Sequence, residues 1–337
     1  MIGKANGAIS ITGVGAYAPA RVLTNDDLSE MMDTSDEWIV ERTGIRERRI
    51  ADDEQALSDL ALPAARDALE QAGVPGPELD LIIVATVTPD MAFPSAGAII
   101  ADELGADDAG AYDLSAGCTG FMYAIAQAYG MLAAGLAHRA LVVGGDVLSR
   151  ILDWSDRRTA ILFGDGAGAV VLQRVSERGF LGFELGADGS GGPQLFLPAG
   201  GSRAPASAET LAEHKHFVQM NGREVFKFAT RVLVSSAEKV LAECGKSVED
   251  VDVYIPHQAN VRIMDHAAEK LGIPREKMVV NVDRYGNTSS GSIPLALADA
   301  QADGRLQDGA LVLMTGMGAG LTWGSGLIEW TENGRKT

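Results

Sequence analysis

Cysteine is scarce in this sequence, since only Cys118 and Cys244 occur among 337 residues. Two cysteines cannot build the disulfide framework that holds small secreted domains together, so we expect a reducing, cytoplasmic setting. Apolar residues make up 46% of the chain and charged residues 22%, as in ordinary globular proteins. The chain is long for a single hydrophobic core, which predicts two domains or a duplicated fold.

Basic residues are also few. The chain has 28 Lys and Arg against 46 Asp and Glu, which gives a formal net charge of -18. Nucleic-acid binding requires an excess of basic surface, so the sequence predicts no nucleic-acid partner. A local basic patch on such an acidic surface can still dock an acidic protein.

Long hydrophobic runs are missing as well. The longest run, residues 121–137, is interrupted by Gln127 and two glycines and is shorter than the roughly 20 residues that a membrane span needs. It predicts a buried helix, and the sequence predicts no membrane partner. Residues 1–10 lack an apolar segment between a basic start and a small-residue cleavage site, so we expect no signal peptide.

Short apolar runs alternate with helical patterns along the chain. Residues 81–88 (LIIVATVT), 140–144 and 167–172 are rich in β-branched residues and predict buried strands. Residues 57–72 carry apolar side chains at helical spacing and are followed by Gly73, which is typical of a helix end. This alternation predicts an α/β fold with mixed or largely parallel sheets.

The second half of the chain repeats the pattern of the first. Segments 80–84, 111–114, 140–144 and 167–172 recur in the same order as segments 252–255, 279–282, 310–314 and 324–329. We therefore divide the chain into an N-terminal half, residues 1–175, and a C-terminal half, residues 176–337. Ligand sites gather at the carboxyl ends of strands in open α/β sheets, and Cys118, His257 and Asn287 each follow such a predicted strand.

Cys118 lies between a predicted strand and the long apolar helix. Free N–H groups and the helix dipole stabilise a thiolate at a helix N-terminus, and the small neighbours Ala116, Gly117 and Gly120 let a substrate approach. A buried structural cysteine is the alternative that this segment leaves open. Cys244, at the end of a helical pattern, has no comparable setting.

His257 and Asn287 are the other candidates for chemistry. A histidine on a short turn after a strand can donate a hydrogen bond or act as a base, although a surface loop histidine is the alternative. Asn287 follows Gly286 and could equally be a plain turn residue. The glycine-rich residues 316–324 can aim backbone N–H groups at an oxyanion, but they match no nucleotide-binding motif.

Metal ligands are not grouped in the sequence. His214 and His216 form a weak pair, but no cysteine or carboxylate cluster accompanies them, so we predict no metal site.

Six motifs in order resemble those of β-ketoacyl-acyl-carrier-protein synthase III, a family of thiolase-like condensing enzymes. They are residues 33–39 with 42–46, 116–121, 163–168, 257–260, 286–289 and 316–324. The resemblance covers nearly the whole chain. It implies a duplicated βαβαβ core in five layers, αβαβα, and a homodimer.

The resemblance also implies a reaction. An acyl group would pass from coenzyme A to Cys118, and malonyl-acyl-carrier protein would then lose carbon dioxide and attack it, which initiates fatty acid synthesis. His257 and Asn287 would hydrogen-bond the malonyl thioester carbonyl. Acyl-coenzyme A would be a substrate, and no cofactor would be bound permanently.

Further roles are implied position by position. The backbone N–H groups of Cys118 and Ala319 would form the oxyanion hole, although Ala319 stands where the family commonly has glycine, and alanine is costly at positive φ. The other implied positions are Trp38, Arg42 and Arg157 for the nucleotide end of coenzyme A, Lys227 and Arg262 for carrier-protein docking, and Phe93 for the acyl pocket across a dimer. For the charged residues the alternative is a solvated surface charge, and for Phe93 it is core packing.

Two other functions remain open from the sequence. A condensing enzyme of specialised metabolism with a different acyl donor or acceptor would share Cys118, His257 and Asn287. A non-catalytic scaffold subunit is less favoured, because such a subunit is expected to lose its nucleophile. A degradative thiolase would carry a second cysteine in residues 316–324, which contain none. The size and branching of the starter acyl group are not set by these patterns.

Overall fold

The computed structural model describes residues 7–331. Residues 1–6, which form most of the segment predicted to lack a signal peptide, lie outside the described residues. The strands are β1 (Ala8–Tyr17), β2 (Arg21–Thr24), β3 (Glu47–Ile50), β4 (Leu81–Ala85), β5 (Gly110–Leu114), β6 (Arg139–Asp146), β7 (Gly166–Val175), β8 (Gly179–Ala187), β9 (Leu195–Phe196), β10 (Gln219–Met220), β11 (Val253–Pro256), β12 (Leu311–Gly318) and β13 (Thr322–Glu329).

The helices alternate with these strands, as the sequence predicts. They are α1 (Asn25–Met31), α2 (Asp36–Thr43), α3 (Leu57–Ala72), α4 (Ala96–Leu104), α5 (Gly120–Ala133), α6 (Arg157–Ala160), α7 (Ala208–Ala212), α8 (Gly222–Glu243), α9 (Val261–Leu271), α10 (Val282–Tyr285) and α11 (Ser292–Ala302). Helix α3 has the bounds predicted for it and ends at Gly73, whose left-handed φ of 66° suits glycine.

Two main sheets share one strand order. The first runs β1-β7-β6-β4-β5 and the second β8-β13-β12-β11, with matching parallel and antiparallel neighbours. The prediction of a fifth strand in the second sheet, at residues 279–282, is wrong. The structure has only an isolated parallel bridge between Tyr254 and Met278 next to this segment, and Val282 begins α10. The division after residue 175 falls in the turn between β7 and β8.

Five layers of helices and sheets stack on one another. Helices α3 and α4 cover the outer face of the first sheet, α5 and α11 lie between the two sheets, and α8 and α9 cover the second sheet. The central layer buries Phe121 and Leu297 between Ile83 of the first sheet and Met314 of the second. This arrangement confirms the predicted five-layer αβαβα fold.

Because helices cover both faces of each sheet, strand β4 is buried at every residue, as its unbroken apolar run predicts. Helix α5 is shorter than the predicted 121–137, and Ala134 and Gly135 already lie outside it. Among residues 7–331, no helix has the length and apolar character needed to cross a membrane.

Candidate active site

Cys118 lies in a tight turn between β5 and α5 that presses against a second loop. Gly117 has a φ of 57°, and a Cβ added there would lie 2.7 Å from the backbone N and O of Ala319. A Cβ added to Gly318 would lie 2.4 Å from the backbone N of Cys118. Glycine at both positions therefore lets the backbones of Cys118 and Ala319 lie side by side.

The thiol of Cys118 is shielded from water, with the residue only 8% exposed. Burial raises its pKa to about 11, and the charge of Asp146 adds to the rise. The Ser289 side chain and the backbone N–H groups of Cys118 and Ala319 lower the pKa by smaller amounts. Both N–H groups thus lie beside the sulfur. The thiolate stabilisation expected at the helix N-terminus is outweighed by burial, and the free thiol is neutral at pH 7.

Ala319 does not have a positive φ. Among the described residues, the non-glycine residues with positive φ are Arg178, His214 and Ser289. Alanine at 319 therefore does not incur the cost of a positive φ that was considered from the sequence. Its N–H group stays beside the sulfur.

His257 follows β11 and is fixed on both sides. Its backbone N–H donates to the Thr315 carbonyl at 2.7 Å, and its Nδ1 lies 2.6 Å from the Ser292 hydroxyl. That hydroxyl already accepts a hydrogen bond from the Gln258 N–H at 3.3 Å. We therefore assign the hydroxyl proton to Nδ1 and the imidazole proton to Nε2. Burial lowers the pKa of His257 to about 3, so the ring is neutral.

Asn287 follows α10 and Gly286, not a strand as the sequence predicted. Its backbone N–H donates to the Leu162 carbonyl at 2.8 Å, and its carbonyl accepts the Gly164 N–H at 3.1 Å. Its side-chain Oδ1 accepts the Ser289 N–H at 2.8 Å. The donors of Nδ2 are therefore the part of this amide still available to a ligand.

The loop of residues 287–292 connects these groups. The single hydroxyl proton of Ser290 is shared between the carbonyl of Ala85 at 2.7 Å and the buried carboxylate of Asp146 at 2.9 Å, at the ends of β4 and β6. Ser292 at the other end of the loop holds His257. The loop is thus anchored to the strand ends of both sheets, and its segment 289–291 packs on the turn that carries Cys118.

A cavity of about 200 Å³ opens at the thiol. Its lining is mostly apolar and consists of Val87, Gly117, Cys118, Leu148, Ile151, Leu152, Phe163, Leu195, Phe196, Leu197, Val218, Ser289 and Ala319. Phe93 is not among these residues and is 84% exposed in the single chain, so core packing is the wrong interpretation for it. Leu152 does line the cavity, together with three residues of the segment 186–206.

The three predicted nucleotide-binding residues lie together on the surface. Trp38 and Arg42 are one turn apart on α2, and the Arg42 guanidinium lies 4.4 Å from the indole ring centre. Arg157 at the start of α6 lies 5.1 Å from the same ring centre, and it donates to the Asp33 carboxylate at 3.3 Å. The two guanidinium groups close to this indole place phosphate ligands next to an aromatic ring.

Lys227 and Arg262 are exposed on the neighbouring helices α8 and α9. Lys227 donates to Glu224 at 2.7 Å within its own helix. Asn260 caps α9 by accepting the Arg262 N–H at 2.8 Å, and its amide donates to the Arg42 carbonyl at 2.9 Å. Arg262 thus lies at the start of a helix that contacts α2, which carries Trp38, and Lys227 lies on the next helix, α8.

Within residues 7–331, no group of three or more histidine, cysteine or carboxylate side chains is arranged to hold a metal ion. His214 pairs instead with Asp153, 3.3 Å away.

Sequence reasoning missed the roles of Ser289, Ser292 and Asp146. The signal available for the serines was their concentration just after Asn287, where residues 287–292 read NTSSGS. Asp146 gave no signal, because it stands at the end of a strand far from the motifs along the chain.

Comparison with known proteins matches two family models. The model of 3-oxoacyl-[acyl-carrier-protein] synthase III matches residues 112–189, and its C-terminal model matches residues 241–330. The chain is 53% identical over 328 residues to β-ketoacyl-[acyl-carrier-protein] synthase III of Desulfitobacterium hafniense (strain Y51), covering 97% of this chain and 99% of that protein.

Solved structures agree with these matches. The 3-oxoacyl-[acyl-carrier-protein] synthase III of Aquifex aeolicus VF5 superposes with a TM-score of 0.89 at 45% identity, covering 96% of this chain and all of that chain. The priming β-ketosynthase of the R1128 polyketide biosynthetic pathway has a TM-score of 0.89 at 35% identity, covering 97% of each chain. The chain therefore belongs to the β-ketoacyl-[acyl-carrier-protein] synthase III family of thiolase-like condensing enzymes.

Proposed function

We propose that this protein condenses an acyl-coenzyme A starter with malonyl-acyl-carrier protein, with loss of carbon dioxide, in the first elongation of fatty acid synthesis. One observation carries the proposal beside the family membership. The thiol of Cys118 lies at an apolar cavity with two backbone N–H groups at its sulfur. An acyl thioester formed on that sulfur would place its carbonyl oxygen within reach of both donors.

In the first half-reaction, the sulfur of Cys118 attacks the thioester carbon of the starter. A new carbon–sulfur bond forms, the bond to coenzyme A breaks, and the proton of the Cys118 thiol leaves with coenzyme A as its thiol. The N–H groups of Cys118 and Ala319 stabilise the oxyanion of the tetrahedral intermediate. The exchange of one thiol for another needs no resident cofactor.

In the second half-reaction, the bond between the malonyl carboxylate and its α-carbon breaks. Carbon dioxide leaves, and the electron pair forms an enolate whose oxygen accepts hydrogen bonds from Nε2–H of His257 and Nδ2–H of Asn287. A neutral imidazole with its proton on Nε2 is suited to this role. The α-carbon then attacks the acyl carbon, the carbon–sulfur bond to Cys118 breaks, and the Cys118 thiolate takes up a proton from water as the β-ketoacyl-carrier product leaves.

The surface residues supply binding. Trp38 would stack on adenine while Arg42 and Arg157 bind phosphate, and Lys227 with Arg262 would dock the acidic carrier protein on an otherwise acidic molecule. In a homodimer, the exposed Phe93 would reach the acyl pocket of the partner. We also propose that residues 1–175 and 176–337 are the two halves of the duplicated core, and that the enzyme works in the cytoplasm.

A second candidate is a condensing enzyme of specialised metabolism. The R1128 priming ketosynthase has the same fold over the whole chain, so the fold alone does not separate the two roles. The scaffold alternative is disfavoured, because Cys118, His257 and Asn287 are all present in constrained surroundings.

The test is acyl loading followed by extension. Wild type and Cys118→Ala are incubated with labelled acetyl-, isobutyryl- and longer acyl-coenzyme A, and then with malonyl-acyl-carrier protein. We expect label on the wild type, none on Cys118→Ala, and a β-ketoacyl-carrier product with the preferred starter. Loading without extension of the carrier would favour the specialised role, and no loading of the wild type with any starter would favour the scaffold.

A further inference from the structure

Ser289 has a backbone conformation that a serine does not prefer. Its φ is 52°, in the left-handed region where glycine is comfortable and most other residues are strained. Its N–H donates to Oδ1 of Asn287, but glycine has the same N–H group and would make that bond without strain. The backbone alone therefore does not explain a serine at this position.

The hydroxyl of Ser289 is buried without a hydrogen-bond partner. The residue is 1% exposed, and its Oγ is one of six buried polar side-chain atoms in the described residues that make no hydrogen bond. A buried hydroxyl without a partner costs free energy, so this residue carries two unfavourable features at once. Such features persist where the group has a task in a state other than the resting one.

The position of the hydroxyl indicates that task. Ser289 lines the cavity together with Cys118 and Ala319, and its side chain favours the ionised form of the Cys118 thiol. The other polar groups at the sulfur are the two backbone N–H donors, which a thioester oxygen would occupy after acylation. A hydroxyl is a third donor, and it can rotate toward whichever group carries negative charge.

We propose that the Ser289 hydroxyl donates a hydrogen bond to the Cys118 sulfur when that sulfur is a thiolate, which makes Ser289 a further catalytic residue of the acyl transfer. The sulfur takes on thiolate charge as it gives up its proton to attack the starter, and again when the condensed product leaves. At both points the buried sulfur carries charge away from water, and a nearby donor lowers the cost. This role rests on the proposed function of Cys118 as nucleophile.

The test compares Ser289→Ala and Ser289→Gly with wild type. Alkylation of Cys118 by iodoacetamide is followed from pH 7 to 10, with peptide mass spectrometry to separate Cys118 from Cys244. We expect both variants to react about three- to tenfold more slowly at a given pH, because the ionisation of the thiol moves up by about half to one pH unit. Loading from acyl-coenzyme A is expected to slow by a similar factor.

Thermal stability separates this role from a structural one. Ser289→Gly removes both the strain and the unpartnered hydroxyl, so we expect its Tm to be at least that of wild type although its thiol reacts more slowly. The matched control is Ser10→Ala, since the Ser10 hydroxyl in β1 is also buried without a partner but does not line the cavity. It is expected to leave the alkylation profile unchanged.

Two results would overturn the proposal. One is a wild-type alkylation profile in both Ser289 variants. The other is a profile lost in Ser289→Ala and restored in Ser289→Gly, which would assign the effect to the backbone. If the wild type takes no acyl label on Cys118, the proposed function fails, while the alkylation profile still decides whether the hydroxyl acts on the thiol.

Discussion

The two ends of the site differ in how their polar groups are held. At the inner end, Cys118 and His257 are buried, and burial moves their pKa values to about 11 and about 3. At the outer end, Trp38, Arg42 and Arg157 are partly exposed and contact one another through charge and ring stacking. Burial thus changes the reactivity of the groups at the inner end, whereas the outer end is an exposed cluster that we propose to act in binding.

This contrast predicts that changes at the inner end act on rate constants and those at the outer end on KM. The largest effect after loss of Cys118 is expected for His257→Ala and Asn287→Ala, because in the proposed reaction each removes a donor to the enolate. We expect condensation to slow by about 10²–10³-fold while acyl loading from coenzyme A is kept. Single-turnover loading and extension, measured separately, check this, and equal loss of both steps would contradict the division of labour.

Burial at the inner end should also appear in the pH dependence of Cys118 alkylation. Because the pKa of Cys118 is raised to about 11, the alkylation rate of its thiol is expected to rise about tenfold per pH unit from pH 7 to 10. The rate for a free cysteine, in contrast, levels off above about pH 8.5. A plateau below pH 9 would show that the thiol is more ionised than its burial implies.

Protonation of His257 affects stability. Its pKa is about 3 in the folded protein and near 6.5 in an unfolded chain, so the unfolded state binds the proton more readily. This group therefore lowers the free energy of unfolding as the pH falls from about 6.5 toward 3. Urea unfolding at several pH values, with His257→Gln as the comparison, should show a smaller loss in the variant.

Trp38→Ala is expected to have a smaller effect, confined to binding. Loss of the ring should raise KM for acyl-coenzyme A by about five- to tenfold with little change in kcat. An acyl thioester of pantetheine, which lacks the nucleotide, serves as control and should be used equally well by both forms. A lower kcat with the pantetheine substrate would mean that Trp38 also supports the inner end.

Carrier docking should give the smallest and most salt-dependent effect. Arg262→Glu is expected to raise KM for malonyl-acyl-carrier protein by about three- to tenfold at low salt and less at high salt. Lys227→Glu should act more weakly, because Lys227 is already paired with Glu224. Arg66→Glu on α3, across the molecule, is the control and should leave this KM unchanged.

The sequence predicted the fold well where hydrophobic patterns were long or unbroken. Helix α3 and the fully buried strand β4 follow directly from their apolar spacing, and the repeated order of runs predicted two sheets of one topology. The strand expected at residues 279–282 is absent, because a short apolar run can be buried without pairing as a strand, and the one bridge nearby is at Met278.

The candidate site residues could be selected from the sequence where they belong to a recognisable motif. Cys118, His257 and Asn287 came from motif order, but their electrostatics did not, since the pKa values depend on how deeply each group is buried. Ser292 and Asp146 act through contacts between distant parts of the chain, which no local pattern encodes. The unusual φ of Ser289 was likewise invisible, because nothing in the residue type indicates the left-handed region.

The contact between Gly117 and the Ala319 loop means that both halves of the chain contribute groups to the surroundings of Cys118. One N–H donor at the sulfur comes from residues before the midpoint of the chain and the other from near its end, and hydrogen atoms of glycine are all that separates the backbones. A Cβ added at 117 would lie 2.7 Å from the backbone of Ala319, and one added at 318 would lie 2.4 Å from the backbone N of Cys118, so the two loops would have to move apart. The alignment of the two N–H donors thus depends on two positions that carry no side chain.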